Sequence, residues 1–104
     1  MKTPRVDLAT RAAVFIRSTA YRELSLRQLA LIAVIADEAG PHTVRGLANR
    51  LQLSKPVVTR ALNSLYQLVE RRPDHKDRRS VFLTLTEAGR RFRDDLLTQA
   101  RADG

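Results

Sequence analysis

Cationic and hydrogen-bonding side chains are concentrated in a short segment, from Leu53 to Leu65, that has the spacing of one helix. Ser54 can cap its first turn, and Pro56 follows where a missing backbone N–H costs little. Apolar side chains recur at three- and four-residue steps and predict a buried face. The other positions carry Lys55, Val57, Thr59, Arg60, Asn63 and Ser64. Such groups can bind phosphate oxygens and base edges of nucleic acid, although an ordinary amphipathic surface helix would have the same pattern.

The positive charge of the chain is concentrated around this segment. Over all 104 residues, nineteen Lys and Arg against eleven Asp and Glu give a net charge of +8. Residues 42–79 hold nine basic and three acidic residues, a net charge of +6. The net charge is +2 for residues 1–41 (six basic, four acidic) and zero for residues 80–104 (four of each). A positive field localised in this way indicates a polyanionic partner.

The composition excludes several other functions. A chain with 43% hydrophobic and 29% charged residues is expected to fold as one domain, residues 1–104. It has no Cys, which excludes disulfides, thiolate metal sites and cysteine nucleophiles. His42 and His75 are far apart and no catalytic motif is present, so we predict no enzyme, metal or cofactor. No signal-like N-terminus and no membrane-length apolar run are found, so we expect a cytoplasmic protein away from membranes.

The flanking sequence predicts that this helix is one of five. Hydrophobic periodicity indicates helices at about 3–20, 26–39, 44–52, 54–65 and 87–99, and strands at 68–72 and 80–85. Gly40 and Pro41 are expected to stop the second helix. Ser25, Thr43 and Thr86 are expected to cap the helices that follow them.

The order of these elements predicts a fold. The third and fourth helices, within residues 43–66, are joined by so short a link that they must cross at a large angle, which is the helix-turn-helix arrangement. The strands form a β-hairpin over residues 68–85 with a basic tip. We therefore predict a mainly α fold with a small β-hairpin, a winged helix-turn-helix of order α-α-α-α-β-β-α.

Residues 26–92 resemble transcriptional regulators of the MarR family. The matching segments are Leu26–Leu29, Thr43–Leu51, Leu53–Leu62 and Val69–Gly89. The last of these is the most specific, because an Asp-x-Arg sequence ending at Arg79 is followed by Leu-Thr-x-x-Gly ending at Gly89. The resemblance implies a dimer on double-stranded DNA, with the fourth helix in the major groove and the wing in the adjacent minor groove.

The helix face and the resemblance together give the candidate DNA-binding residues. Arg60 can bridge guanine O6/N7 or a phosphate, and Asn63 can reach an adenine or the backbone. The resemblance implies that Asp77 pairs with Arg79 to stabilise the wing loop, and that Arg78 or Arg79 enters the minor groove. The full set is Thr43, Arg45, Ser54, Lys55, Pro56, Val57, Thr59, Arg60, Asn63, Arg72, His75, Lys76, Arg78 and Arg79.

The resemblance also implies a homodimer formed by the terminal helices, residues 3–20 and 86–100. Family members usually have a longer C-terminal helical pair, so here the first and last helices would have to form that contact. Members often bind small aromatic effectors between the dimerisation helices and the DNA-binding lobe. Phe15, Tyr21 and Phe92 are the aromatic residues expected near such a cleft, and they are equally suited to a core.

Two positions depart from the usual pattern of the family. Gln52 stands where the turn between the third and fourth helices often has Gly, so we expect it to take a left-handed conformation. Tyr66-Gln67 leads directly into the first wing strand, where a Gly-containing turn is usual. We therefore expect an abrupt junction between the fourth helix and the wing.

A winged helix can also act as a protein–protein interaction module without DNA specificity of its own. The outward face of the fourth helix would then be apolar or acidic. In this sequence that face carries Lys55, Arg60 and Asn63, which favours double-stranded DNA as the partner and sequence-specific transcription regulation as the function.

Overall fold

A computed structural model describes residues 8–17, 22–77 and 80–102 of the protein. The elements are α1 (Leu8–Ile16), α2 (Leu26–Asp37), α3 (Val44–Leu51), α4 (Lys55–Asn63), β1 (Val69–Pro73), β2 (Val81–Leu85) and α5 (Glu87–Ala102). This order confirms the predicted fold class, a mainly helical winged helix with one β-hairpin.

The predicted helix starts are confirmed by their caps. At α2, the Gln28 N–H donates to Ser25 Oγ (3.1 Å) and the Ser25 N–H donates to Gln28 Oε1 (2.8 Å), a reciprocal capping box. At α3, Thr43 Oγ1 accepts from the Gly46 N–H at 3.0 Å. At α5, Thr86 Oγ1 accepts from the backbone N–H three residues later, at 3.0 Å. Each cap satisfies an N–H group that has no partner within its helix.

α2 is the centre of the hydrophobic core, as expected for a helix that is apolar nearly all round. It buries Leu31, Ile32, Val34 and Ile35. The other buried side chains are Leu47, Ala48, Val58, Leu62, Leu65, Leu68, Val69, Leu83, Leu85 and Phe92. Within the described ranges no polar or charged residue is buried, so aliphatic packing is the main force that holds the helices and the hairpin together.

The predicted end of α2 was wrong by two residues. The helix ends at Asp37 rather than at residue 39, and the C-cap Glu38 already has extended backbone angles (φ −108°, ψ 151°). The carboxylate of Glu38 accepts two hydrogen bonds from Arg50 of α3, a contact made by the first residue after the helix. Gly40 and Pro41 follow but do not form the cap.

The wing is an antiparallel hairpin in which Val69 pairs with Leu85 and Pro73 pairs with Val81. Both strands begin one residue later than predicted. The short extended piece before α3 adds a third pairing, because the Leu83 N–H donates to the His42 carbonyl at 2.9 Å. The wing is therefore attached to the helical core along one edge of β2.

The expected abrupt junction between α4 and the wing was wrong. The helix ends at Asn63, two residues earlier than predicted, and residues 64–68 form successive turns. The Leu68 and Val69 N–H groups both donate to the Leu65 carbonyl at 2.8 Å. Leu65 and Leu68 are both buried, and the chain must turn between them to place both side chains in the core.

The Leu-Thr-x-x-Gly sequence ties the start of α5 to this turn. The Leu68 carbonyl accepts from the Thr86 N–H at 2.9 Å, and Thr86 Oγ1 donates to the Gln67 carbonyl at 2.7 Å. Gly89 lies directly against the same Leu68 carbonyl, so that a Cβ atom there would overlap the oxygen. Gly at this position is therefore required by close backbone contact and not by a left-handed conformation.

This contact predicts that Gly89→Ala destabilises the protein by about 1–3 kcal/mol, because the added methyl group forces the turn and α5 apart. Urea unfolding followed by circular dichroism measures the change. Gly46→Ala is the matched control, because its Cβ would meet only the Thr43 side-chain oxygen at 3.2 Å. We expect the free energy of unfolding of that control to stay within about 1 kcal/mol of the wild-type value. Equal stabilities of the two variants would contradict the role of Gly89.

Candidate nucleic-acid interface

α3 and α4 form the predicted helix-turn-helix. Gln52 takes the expected left-handed conformation (φ 57°, ψ 44°), and the Leu53 N–H donates to the Ala48 carbonyl at 2.9 Å. Ala48 is 5% exposed, and Val58 and Leu62 are buried. The small side chain of α3 and the two apolar side chains of α4 thus fill the angle between the helices.

The start of α4 follows the sequence prediction. Ser54 is the N-cap, and its Oγ accepts from the Val57 N–H at 3.4 Å. Pro56 lies in the first turn, where it removes no hydrogen bond of the helix. Val57 is half-buried, so its side chain is only partly available to a partner.

The outward side of α4 is a continuous exposed surface with a shallow depression. We call it the α4 face; it consists of Lys55, Pro56, Thr59, Arg60 and Asn63. Across the described part of the chain, the side chains of Lys55, Thr59 and Arg60 make no hydrogen bond or ion pair. Two cations and a hydroxyl are therefore available to a ligand without loss of an existing contact.

The N-terminal side of α3 adds two of the predicted residues. Thr43 is half-buried and is engaged as the cap, whereas Arg45 is exposed. Both belong to the first turn of the helix that precedes the α4 face.

The tip of the wing is organised by carboxylates. The Lys76 N–H donates to Asp74 Oδ1 at 2.9 Å, and Ser80 Oγ donates to Asp77 Oδ2 at 3.2 Å. His75 and Lys76 are exposed. Arg78 and Arg79 lie outside the described residues, as does the predicted contact between Asp77 and Arg79.

Two consecutive arginines of β1 lie on opposite faces of the hairpin. Arg71 shares a face with the buried Val69, and its Nη2 donates to Asn63 Oδ1 at 3.0 Å. Arg72 is on the other face, where it forms an ion pair with Glu70 at 2.8 Å. Arg72, and not Arg71, was among the DNA-binding residues predicted from the sequence. The alternation of side chains along the strand, counted from Val69, would have placed Arg71 on the side of α4.

An exposed ion pair fixes α3 against the end of α2. Arg50 Nη2 lies 2.7 Å from Glu38 Oε2, and Arg50 Nε lies 2.8 Å from Oε1. The hydrogen bond from Arg50 is the main reason that the pKa of the Glu38 carboxyl lies below its usual value. The same bond raises the pKa of the Arg50 guanidinium.

Two of the three aromatic side chains expected near an effector cleft, Phe15 and Phe92, belong to the core or pack against it. The Phe15 and Phe92 rings meet edge to face with centroids 5.6 Å apart, and Phe92 is 4% exposed. Tyr21 lies outside the described residues. A separate open cavity of about 560 Å³ lies between the end of α2, β2 and α5, with Phe82 in its apolar wall and Arg90 and Arg93 at its edge.

The helices at the two ends of the described chain contact each other through this aromatic pair. Leu8 and Ile16 of α1 remain 75% and 57% exposed. They leave an apolar surface on α1 that no residue of the described ranges covers. No helix in those ranges is long and apolar enough to span a membrane.

Comparison with known proteins identifies one family. The sequence model described as the MarR family matches residues 24–81, which is more than half of the chain. No curated protein sequence gives a significant match.

Solved structures have the same fold. The chain is similar to the transcriptional regulator Tm0710 from Thermotoga maritima (26% identity, TM-score 0.71, covering 76% of this chain and 56% of that one). It is also similar to the transcriptional regulator BldR from Sulfolobus solfataricus (31% identity, TM-score 0.61, covering 75% and 54%). RV1404 from Mycobacterium tuberculosis shares the fold at 20% identity (TM-score 0.80, covering 92% and 65%). The chain thus spans between half and two thirds of the length of these proteins.

The Glu38 contact predicts a measurable titration. We expect the Glu38 carboxyl to titrate below the ordinary range of Glu in an NMR pH titration, and Arg50→Ala to return it toward that range. A lowered pKa means that the pair stabilises the fold above the unfolded-state pKa and loses this effect as the pH falls through the folded-state pKa. Arg91→Ala, which removes an exposed Arg from α5, is the control. An unshifted Glu38 pKa in the wild type would contradict the interpretation.

Proposed function

The chain belongs to the MarR family, and on this premise we propose that it is a sequence-specific regulator of transcription that binds double-stranded DNA as a homodimer. The main support is the α4 face, where Lys55, Thr59 and Arg60 are exposed and have no partner among the residues that the structure describes. A row of available cations and hydrogen-bond donors on one side of a helix matches the phosphates and base edges of a major groove.

In this proposal α4 enters the major groove. Arg60 binds a guanine or a phosphate, and Thr59 and Val57 are near a thymine methyl group. Ser54, Thr43 and Arg45 lie at the N-terminal turns of α4 and α3, where backbone N–H groups and the helix dipole favour a phosphate. Pro56 shapes the same turn of α4.

The wing reaches the adjacent minor groove. Asp77 stabilises the loop, and Arg78 or Arg79 inserts where a narrow A·T-rich groove concentrates negative potential. His75, Lys76 and Arg72 bind the DNA backbone.

Two copies of the chain are required to bind two half-sites. The apolar surface of α1 around Leu8 and Ile16 is suited to this contact, since exposed apolar patches mark interaction surfaces. We propose that α1 and α5 form the homodimer. A small aromatic effector has less support, because Phe15 and Phe92 fill the space between these helices in the described structure.

The rival function, a protein-binding winged helix, predicts an apolar or acidic surface on α4. The α4 face has two cations and no acidic residue, and the nearby wing tip adds Lys76. DNA is therefore the better-supported partner.

Selection of duplex DNA from a random pool tests the proposed function. We expect a palindromic product with half-sites about one helical turn apart, because a two-fold dimer presents two copies of α4. If about six to ten phosphates are contacted, affinity should fall roughly 10³- to 10⁵-fold between about 50 and 200 mM salt. Two results would contradict the proposed function. One is binding that does not depend on salt, and the other is undiminished DNA binding by a folded variant that carries both Arg60→Glu and Arg79→Glu.

A second prediction separates capping from DNA contact. Ser54→Asp retains the cap and favours the helix dipole, so thermal stability should be unchanged or higher, while the added negative charge should reduce DNA affinity at least about tenfold. Ser25→Asp makes the same change at the capping position of α2, outside the α4 face, and should reduce DNA affinity far less. Fluorescence anisotropy and circular dichroism measure the two effects, and equal losses of affinity would show that net charge alone is responsible.

A further inference from the structure

We propose that Arg71 and Asn63 act together as a unit that selects guanine at one base pair of each half-site. This inference rests on the proposed function and extends it to the identity of one base. Arg71 is a positioning residue for the amide of Asn63 and also presents its own donors beside it.

The geometry that supports the unit is a contact between the hairpin and α4. Arg71 Nη2 donates to Asn63 Oδ1 at 3.0 Å, and both side chains are exposed. Asn63 continues the row formed by Lys55 and Thr59 at four-residue steps, so it is part of the α4 face. The guanidinium reaches that face because Arg71 is on the same side of β1 as Val69.

The contact fixes which way the amide points. A guanidinium has only donors, so the group that faces Arg71 must be the carbonyl oxygen of Asn63. The NH₂ group of Asn63 is then directed away from Arg71. An Asn side chain without such a partner can rotate to present either group.

The orientation determines which base edge is complementary. Asn binds adenine by accepting from N6 and donating to N7, which requires an accessible carbonyl oxygen. The guanidinium takes one of the two lone pairs of that oxygen, so accepting from adenine N6 through the other would bring the guanidinium donors against the donor group of adenine. Guanine presents the two acceptors N7 and O6 side by side, so a donor-only pair matches guanine.

The exposed hydrogen bond becomes more important on DNA. Water is excluded when the α4 face docks, and a hydrogen bond in a drier environment is electrostatically stronger. An arrangement that breaks this contact must supply another partner for the carbonyl oxygen, because a polar group left unpaired in an interface is costly.

The experiment measures the affinity of the full chain for four duplexes that differ in one symmetric base pair of the selected site. That base pair is identified as the one at which Asn63→Ala removes discrimination. We expect the wild type to prefer guanine there by about tenfold. Arg71→Ala should lose the guanine preference and shift toward adenine, because the Asn63 carbonyl becomes accessible.

Three further variants show whether Arg71 acts through Asn63. Arg71→Lys should keep part of the guanine preference, because an ammonium group also only donates. Arg71→Ala in the Asn63→Ala background should change base preference less than it does in the wild type, since coupled residues are not additive. Arg72→Ala removes the same charge from the other face of the hairpin, so any loss of affinity should be equal on all four duplexes.

The possible failures can be told apart. The inference alone is overturned if Arg71→Ala behaves like Arg72→Ala, with a uniform loss on the four duplexes, or if Asn63→Ala retains discrimination at every base pair. If the wild type selects no duplex from the random pool, the proposed function is wrong and the inference is overturned with it. Circular dichroism establishes that each variant is folded.

Discussion

The contact between the Leu68 carbonyl and the start of α5 determines how the wing, α4 and α5 are arranged. One oxygen atom accepts from the Thr86 N–H and lies against Gly89, and the neighbouring Gln67 carbonyl accepts from Thr86 Oγ1. The turn that leaves α4 is therefore held at its far end by backbone contacts. Because interiors are close-packed, a change at this point cannot be absorbed locally and must displace β1 or α5.

The distribution of ion pairs leaves the cations of the α4 face without acidic neighbours in the described structure. Arg50, Arg72, Arg91 and Arg93 each have an acidic partner in the described structure. Lys55 and Arg60 have none. Exposed ion pairs add little to stability in water, but they neutralise charge on the other surfaces. Lys55 and Arg60 thus leave positive charge on the α4 face that can attract a polyanion over a distance of about one Debye length.

Local signals in the sequence were sufficient for the elements, but not for the contacts between them. The caps at Ser25 and Thr43 and the left-handed Gln52 depend on a few neighbouring residues, and each was predicted correctly. The end of α2 at Asp37 is followed by the contact between Glu38 and Arg50, which lies twelve residues further along the chain. α4 is shorter than predicted because Leu65 and Leu68 must both be buried. The hydrophobic periodicity of the helix does not report this requirement, because it involves residues that follow the helix.

The pair formed by Asn63 and Arg71 shows which part of the candidate site could not be predicted, because strand alternation gives the side of Arg71 but not its hydrogen-bond partner. The two residues are eight positions apart, on different elements, and the turn at residues 64–68 brings them together. A helical wheel assigns Asn63 to the α4 face and leaves its amide able to face either way. The hairpin supplies the missing constraint, because the side of β1 on which Arg71 lies is set by the burial of Val69. Since the same turn is held by Leu68 and Gly89, the orientation of one polar side chain on the α4 face depends on backbone packing at the start of α5.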